Sequence, residues 1–306
     1  MGGLRWVEVV AHRGDPVTCV ENTLEAVEAA ISSGARIVEV DVRTTADHVP
    51  VLLHDETLER IWGDRGRLDR TSSAMVAERR GPRDTRIPTL QQVLELARGR
   101  ATLMLDLPDA RDPDRIVQVA AGHDVVWCGD HNAMAVVREL DPHAVIYLTW
   151  QDAEYPSDDL LSRLRPRFVN PSHWVLDPAW LHWAADHDLL VSCWTVDDPV
   201  RFDRLRELGV ASITSNHSAA MRQHMIVGGD RRQLTNSAQI RFTKARTSSV
   251  RAGSSSWPPR YHQRIAHLVN SASSGLTPPY ASPARSFDNR SWSIRWHQQR
   301  HSVSTA

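Results

Sequence analysis

Ile37-Val38-Glu39-Val40-Asp41-Val42, followed by Val51-Leu52-Leu53-His54-Asp55, is the stretch on which the reading of this chain turns. The first run is short, rich in β-branched residues and preceded by Gly34, and it predicts a buried strand. Side chains alternate across a strand, so Glu39 and Asp41 share one face, while Val38, Val40 and Val42 share the other. Two carboxylates side by side on a buried face repel, and each is costly to desolvate unless positive charge lies nearby. A divalent cation held by oxygens is the simplest such charge, and both calcium and magnesium take these hard donors.

Upstream, Val9-Val10-Ala11-His12-Arg13-Gly14 predicts a second short strand ending in a histidine and an arginine, with Glu21-Asn22-Thr23 close behind. Downstream, Ala101-Thr102-Leu103-Met104-Leu105-Asp106-Leu107-Pro108 predicts a third, with Thr102, Met104 and Asp106 on one face. His12, Glu39, Asp41 and Asp106 all fall toward the C-terminal ends of their strands, where parallel barrels gather their chemistry.

The rest of the first three-quarters of the chain alternates regularly. Residues 22–33 carry Leu24, Val27, Ala30 and Ile31 at helical spacing, closed by Gly34, with Asn22 and Thr23 both cap candidates. Residues 49–54 are extended. Residues 56–86 are polar and arginine-rich, long for a barrel loop and so a candidate functional segment. Ile87-Pro88-Thr89-Leu90 opens a helix reaching residue 97. Strands at 102–107, 124–128, 144–149, 167–170, 189–195 and 211–214 then alternate with helices at 112–121, 131–140, 157–165, 178–187, 198–208 and a short last one ending near 226. Eight strands alternating with helices predict an α/β fold, a (β/α)8 TIM barrel over residues 1–227.

The 306 residues carry a formal net charge of -1, which conceals two regions. Residues 1–227 hold 24 basic and 35 acidic residues, whereas 228–306 hold 12 basic and 2 acidic. The second region is dominated by Ser, Arg, Pro, Gln and His and lacks the aliphatic residues for a core, so it predicts a basic, disordered C-terminal tail. A solvated tail is the reading adopted over one that binds nucleic acid or an acidic membrane. Cys19, Cys128 and Cys193 are scattered without metal-ligand spacing and fit a reducing, cytoplasmic setting, with Cys128 and Cys193 in apolar runs. No apolar stretch has signal-peptide length, and none approaches the roughly 20 residues of a transmembrane helix.

Taken in order, His12-Arg13-Gly14, Glu21-Asn22-Thr23, Glu39-Val40-Asp41 and His54-Asp55 resemble the pattern of the glycerophosphodiester phosphodiesterase family, and Trp194-Thr195-Val196-Asp197 is similar to a late strand end of that family. The resemblance implies a metal-dependent phosphodiester hydrolase that cleaves glycerophosphodiesters to an alcohol and sn-glycerol 3-phosphate. It implies His12 and His54 as the acid–base pair, and Glu39, Asp41 and Asp106 as ligands of a divalent metal, Ca2+ or Mg2+. Arg13 would hold the phosphate, Glu21 and Asn22 would brace the loop carrying Arg13 or touch the site, and Trp194 would wall the leaving alcohol. The expected partner is a small glycerophosphodiester, or a lysophospholipid in a close variant of the reaction, and not nucleic acid. Two positions depart from the family's pattern: the third acid is Asp106 where Glu is usual, and Pro108 stands where a lysine is usual. The last strand, Ile213-Thr214-Ser215-Asn216, also lacks the acid expected after the threonine. These departures raise the alternative of a catalytically impaired barrel that binds a phosphodiester.

Overall fold

A computed structural model describes residues 7–228 of the chain. The tail expected at 228–306 lies outside the described residues, Gly228 excepted. Strand β1 (Glu8–Ala11) is followed by α1 (Leu24–Ser32), β2 (Ile37–Thr44) and a short β3 (Pro50–Leu52). Helices α2 (Glu59–Trp62) and α3 (Ser73–Ala77) precede α4 (Leu90–Ala97), and β4 (Thr102–Leu107) leads to α5 (Pro113–Ala120). The alternation continues through β5 (Val125–Gly129), α6 (His131–Leu140), β6 (Tyr147–Trp150), α7 (Asp158–Leu164), β7 (Phe168–Pro171), α8 (Pro178–Asp186), β8 (Leu190–Cys193), α9 (Pro199–Leu208), β9 (Ser212–Ser215) and α10 (Ser218–Gly228).

All strands but β3 pair in parallel, in the order β5-β4-β2-β1-β9-β8-β7-β6, and a parallel bridge between Trp127 and Ile146 joins the two ends into a barrel. β3 lies off this circuit, antiparallel to β2. The outward faces of the strands meet the helices: Val38, Val40 and Val42 pack in one cluster with Val27 and Ala30 of α1 and Leu90, Val93 and Leu94 of α4. Burying each such side chain stabilises the fold by about 1.5–3 kcal/mol. A smaller apolar cluster of Val10, Met104, Cys128 and Tyr147 plugs the barrel interior, with the Tyr147 and Phe168 rings stacked 4.0 Å apart.

Helix starts follow local chemistry. Thr23, not Asn22, caps α1 by accepting from the Ala26 N–H, and Thr89 and Gln92 form a reciprocal capping box on α4. The 56–86 segment differs from the plain loop its composition suggests. Its short helices fold over a separate apolar cluster of Leu58, Trp62, Leu68 and Val76, closed from below by Val51, Leu53 and Ile87. Those hydrophobes are spaced too irregularly for a periodic signal, yet they anchor the segment over the barrel mouth.

Gly129, at the C-terminal end of β5, has φ 118°, and a Cβ there would lie 2.2 Å from the Leu107 carbonyl oxygen and 2.6 Å from Asp106 Oδ1. Gly129→Ala is therefore expected to destabilise the barrel by about 2–4 kcal/mol, summing backbone strain and overpacking. Urea unfolding measures it, and an unchanged midpoint would show that the strand end yields freely.

Candidate active site

Beyond β1 the chain turns sharply, with Arg13 at φ 55° and Gly14 at φ 85°. A Cβ on Gly14 would meet the Ala26 backbone at 2.6 Å, so only glycine fits this approach. The turn is held by Asp15 N–H donating to the Ala26 carbonyl and Asn22 N–H to the Arg13 carbonyl. It lays Arg13, Glu21 and Asn22 over the end of β2.

Three carboxylates converge there. Glu39 and Asp41 stand on the inner face of β2, and Asp106 is the register partner of Asp41 on β4. One oxygen from each lies within 4.8 Å of the others. Glu39 and Asp41 are 4 % and 3 % exposed. Burial first, then the charges of Asp41 and Asp106, push the Glu39 carboxyl well above the usual range, against the pull of Arg13. Burial and Asp41 push Asp106 up to about 7, with Arg13 and Arg43 opposing. Cys128, deeper in the barrel, is raised by burial and by the same acids. Three hard oxygen donors with too little fixed positive charge between them fit a divalent cation of the calcium or magnesium type.

Arg13 is the fixed charge in direct contact with Glu39 and Asp41. Its backbone N–H donates to Glu39 Oε2 at 2.9 Å and its Nη1 to Glu21 Oε1 at 2.9 Å. Its Nε sits 3.2 Å from Asp41 Oδ2 as an ion pair without hydrogen-bond alignment. Asn22, expected near the substrate, is buried and clamps Asp41 from both sides. Its Nδ2 donates to Asp41 Oδ2 at 2.6 Å, and its Oδ1 accepts from the Asp41 N–H at 3.1 Å. It thus acts on the site by holding a carboxylate.

The two histidines flank the acids. His12 Nε2 lies 3.8 Å from Glu39 Oε2, and its Nδ1 is 2.7 Å from Asn216 Oδ1. Burial, then the Arg13 charge, lower its proton affinity; the Asn216 hydrogen bond and the nearby acids only partly offset this. His54 follows Leu53, whose N–H donates to the Asp41 carbonyl, and its side chain is 41 % exposed toward the mouth. Its Nδ1 is 2.6 Å from Asp55 Oδ1, while Asp55 Oδ2 and Glu21 both accept from Arg60 of α2. Trp194 stands half-buried after β8, its indole N–H donating to the Asn170 carbonyl at 2.9 Å.

Several site groups escape the sequence reading. Arg43 continues the Glu39, Asp41 alternation by one more step on β2, a signal present in the pattern. Its Nε donates to the His54 carbonyl and its Nη1 to Asp109 Oδ2. Arg43, Glu56, Arg67, Asp69, Asp109 and Arg111 line a charged cavity of about 250 Å3 beside it. Asn216 reaches His12 from a strand end far away in the chain and is held in turn by Asp197, with no local signal of their connection.

The sequence matches the Glycerophosphoryl diester phosphodiesterase family over residues 12–220. The chain belongs to this family. It is an enzyme of the phosphodiester hydrolase class, and its relatives bear this out. It is 24% identical over 227 residues to a glycerophosphodiester phosphodiesterase of Caldanaerobacter subterraneus, a match covering 68% of this chain and 93% of the relative. Glycerophosphodiester phosphodiesterase 1 of Mus musculus is 37% identical over 116 residues, 35% of each chain. The barrel superimposes on an Oleispira antarctica phosphodiesterase solved with its product sn-glycerol-3-phosphate, with TM-score 0.66, 21% identity, and coverage of 72% of this chain and 96% of that one. No helix among the described residues is long and apolar enough to cross a membrane.

The raised carboxyls tie stability to pH. Asp106 holds its proton in the fold up to about 7 but loses it near 3.8 when unfolded, so the metal-free fold loses stability as pH rises between those values. The fully developed penalty for this group is on the order of 4 kcal/mol. In chelator, the melting temperature is expected to fall from about pH 5 to about pH 8. Calcium or magnesium should restore it most at the higher pH, and Asp106→Asn should flatten both trends. A chelated protein equally stable at both pH values and indifferent to either cation would remove the proposed metal site.

Proposed function

We propose that the enzyme hydrolyses glycerophosphodiesters to an alcohol and sn-glycerol 3-phosphate, with Glu39, Asp41 and Asp106 as ligands of a divalent cation and His12 and His54 as the acid–base pair. The observation that carries this reading is the convergence of buried Glu39 and Asp41, half-buried Asp106, Arg13 and His12 within one strand-end cluster. A bound divalent cation would neutralise phosphoryl oxygen charge and polarise phosphorus. The protein's own groups account for the rest. Arg13, oriented by Glu21, offers its guanidinium to the phosphate. One histidine takes the proton of the attacking hydroxyl and the other protonates the departing alkoxide. Water as the attacking group gives the monoester directly; attack by the substrate's own glycerol hydroxyl gives a cyclic phosphate, which water opens in a second step with the two histidine roles exchanged. The Trp194 ring forms an apolar wall for the leaving alcohol.

Pro108 removes the lysine expected near the phosphate, which favours an impaired enzyme. Arg43 argues the other way. It lies close enough to Asp106 to oppose the rise of its carboxyl, and it lines the neighbouring cavity. We assign it the positive contact that a lysine at residue 108 would make.

Full-length protein is expected to release sn-glycerol 3-phosphate from glycerophosphocholine with calcium or magnesium and not in chelator. His12→Ala and His54→Ala should each lower kcat/KM by about 10^2–10^4. Folded protein with no release under any cation would sink the reading.

A further inference from the structure

The hydrogen bonds around His12 fix more than its position. Asp197, in the loop after β8, accepts through Oδ1 from the Ser215 hydroxyl at 2.9 Å and from the Asn216 backbone N–H at 2.8 Å. Its Oδ2 is 2.7 Å from Asn216 Nδ2. A carboxylate is an acceptor, so the Asn216 amide must turn its NH2 toward Asp197 and its carbonyl oxygen toward His12. That oxygen can only accept. The His12 Nδ1 facing it at 2.7 Å must therefore carry the ring proton, and the lone pair of the neutral ring is left on Nε2 beside Glu39. The β1 and β9 ends are themselves tied, because His12 N–H donates to the Ser215 carbonyl.

We propose that Asp197 and Asn216 are positioning residues that lock His12 in the Nδ1–H tautomer and present Nε2 as its proton-exchanging atom. The order of atoms along the chain, carboxylate to amide NH2 and amide oxygen to ring N–H, allows one arrangement. The amide belongs to the strand end that lacks the expected acid, and it serves because Asp197 supplies the polarity from behind. His54 reaches the same end more directly, with Asp55 as the acceptor for its Nδ1 and Arg60 holding Asp55.

The carboxylate sets the direction of the relay, so an isosteric change should reverse it. In Asp197→Asn the new amide oxygen still accepts from Ser215 and Asn216 N–H, and its NH2 then faces Asn216. Asn216 must turn its oxygen to that donor and its NH2 to His12, which forces the Nε2–H tautomer. The test is 15N-histidine NMR of the full chain, with the His12 ring assigned by its loss in His12→Gln. Wild type is expected to show Nδ1–H at His12 and Asp197→Asn to show Nε2–H. The kinetic consequence rests on the role of His12 proposed above: kcat should fall at least about 10^2-fold, as expected for a wrongly tautomerised base, with KM within about threefold. In the exchanged pair Asp197→Asn/Asn216→Asp, the carboxylate accepts from both neighbours, and the Nδ1–H tautomer and most of the lost kcat should return. An Nε2–H ring in wild type overturns the proposal whatever the variants do. So does an unchanged tautomer in Asp197→Asn, or an exchanged pair that restores neither tautomer nor rate. The expected tautomers with unaltered kcat would leave the lock standing and refute the catalytic role of His12 instead.

Discussion

The repulsion among Glu39, Asp41 and Asp106 is the constraint around which the barrel mouth is organised. Three carboxylates with oxygens within 4.8 Å, two of them on one strand and the third on its register neighbour, cannot all be ionised in a buried site without compensation. Every polar group nearby answers to that fact. Arg13 is turned back over the acids through a left-handed residue and a glycine, so that its backbone N–H meets Glu39 and its guanidinium meets Asp41. Asn22 holds Asp41 with a donor and an acceptor together. The remaining imbalance is what suits the site to a divalent cation, and it is a stability cost to the metal-free fold.

Parallel pairing makes this concentration of charge possible. Neighbouring strands run in register, so side chains two residues apart on one strand meet those of the next at the same level, and the C-terminal ends open to one face. Beneath the acids the barrel is plugged by Val10, Met104, Cys128 and Tyr147, which keeps water out from below. The dry floor strengthens every electrostatic interaction above it.

Much of this is legible in the sequence where the physics is local. Period-two alternation places Glu39, Asp41 and Asp106 inward, and the helical spacing at 22–33 and 87–97 marks helices flanking the barrel. The alternation through residue 215 spells out the (β/α)8 order, with the strand at 144–149 entering its ladder a few residues later, at Tyr147. What the pattern leaves out is carried by contacts between distant residues. Thr23 rather than Asn22 caps α1 because the side chain of Asn22 has a stronger partner in Asp41, nineteen residues on. The cluster under residues 56–86 has no period, since its hydrophobes come from separate short turns. The strand end at 213–216 reads as lacking an acid until Asp197 is seen behind Asn216, and nothing local to either residue announces the pairing.

The departures from the family's pattern gain a common explanation from geometry. On the pattern the resemblance implies, Asp106 in place of Glu and Pro108 in place of lysine both remove reach from the end of β4. Arg43 enters from the end of β2 with a longer side chain, braced by the His54 carbonyl and by Asp109. A guanidinium pinned at two points is preorganised in a way that a lysine ammonium is not, and its planar fork suits phosphate oxygens. The same substitution of reach for charge recurs at His12, where a neutral amide backed by a carboxylate stands in for an acid in direct contact. The amide keeps the directional acceptor and moves the negative charge one residue farther from Glu39, into a site already crowded with carboxylates. An acid at residue 216 would add a fourth negative group beside the cluster. An asparagine held by Asp197 orients the ring without deepening the repulsion that the rest of the mouth is built to contain.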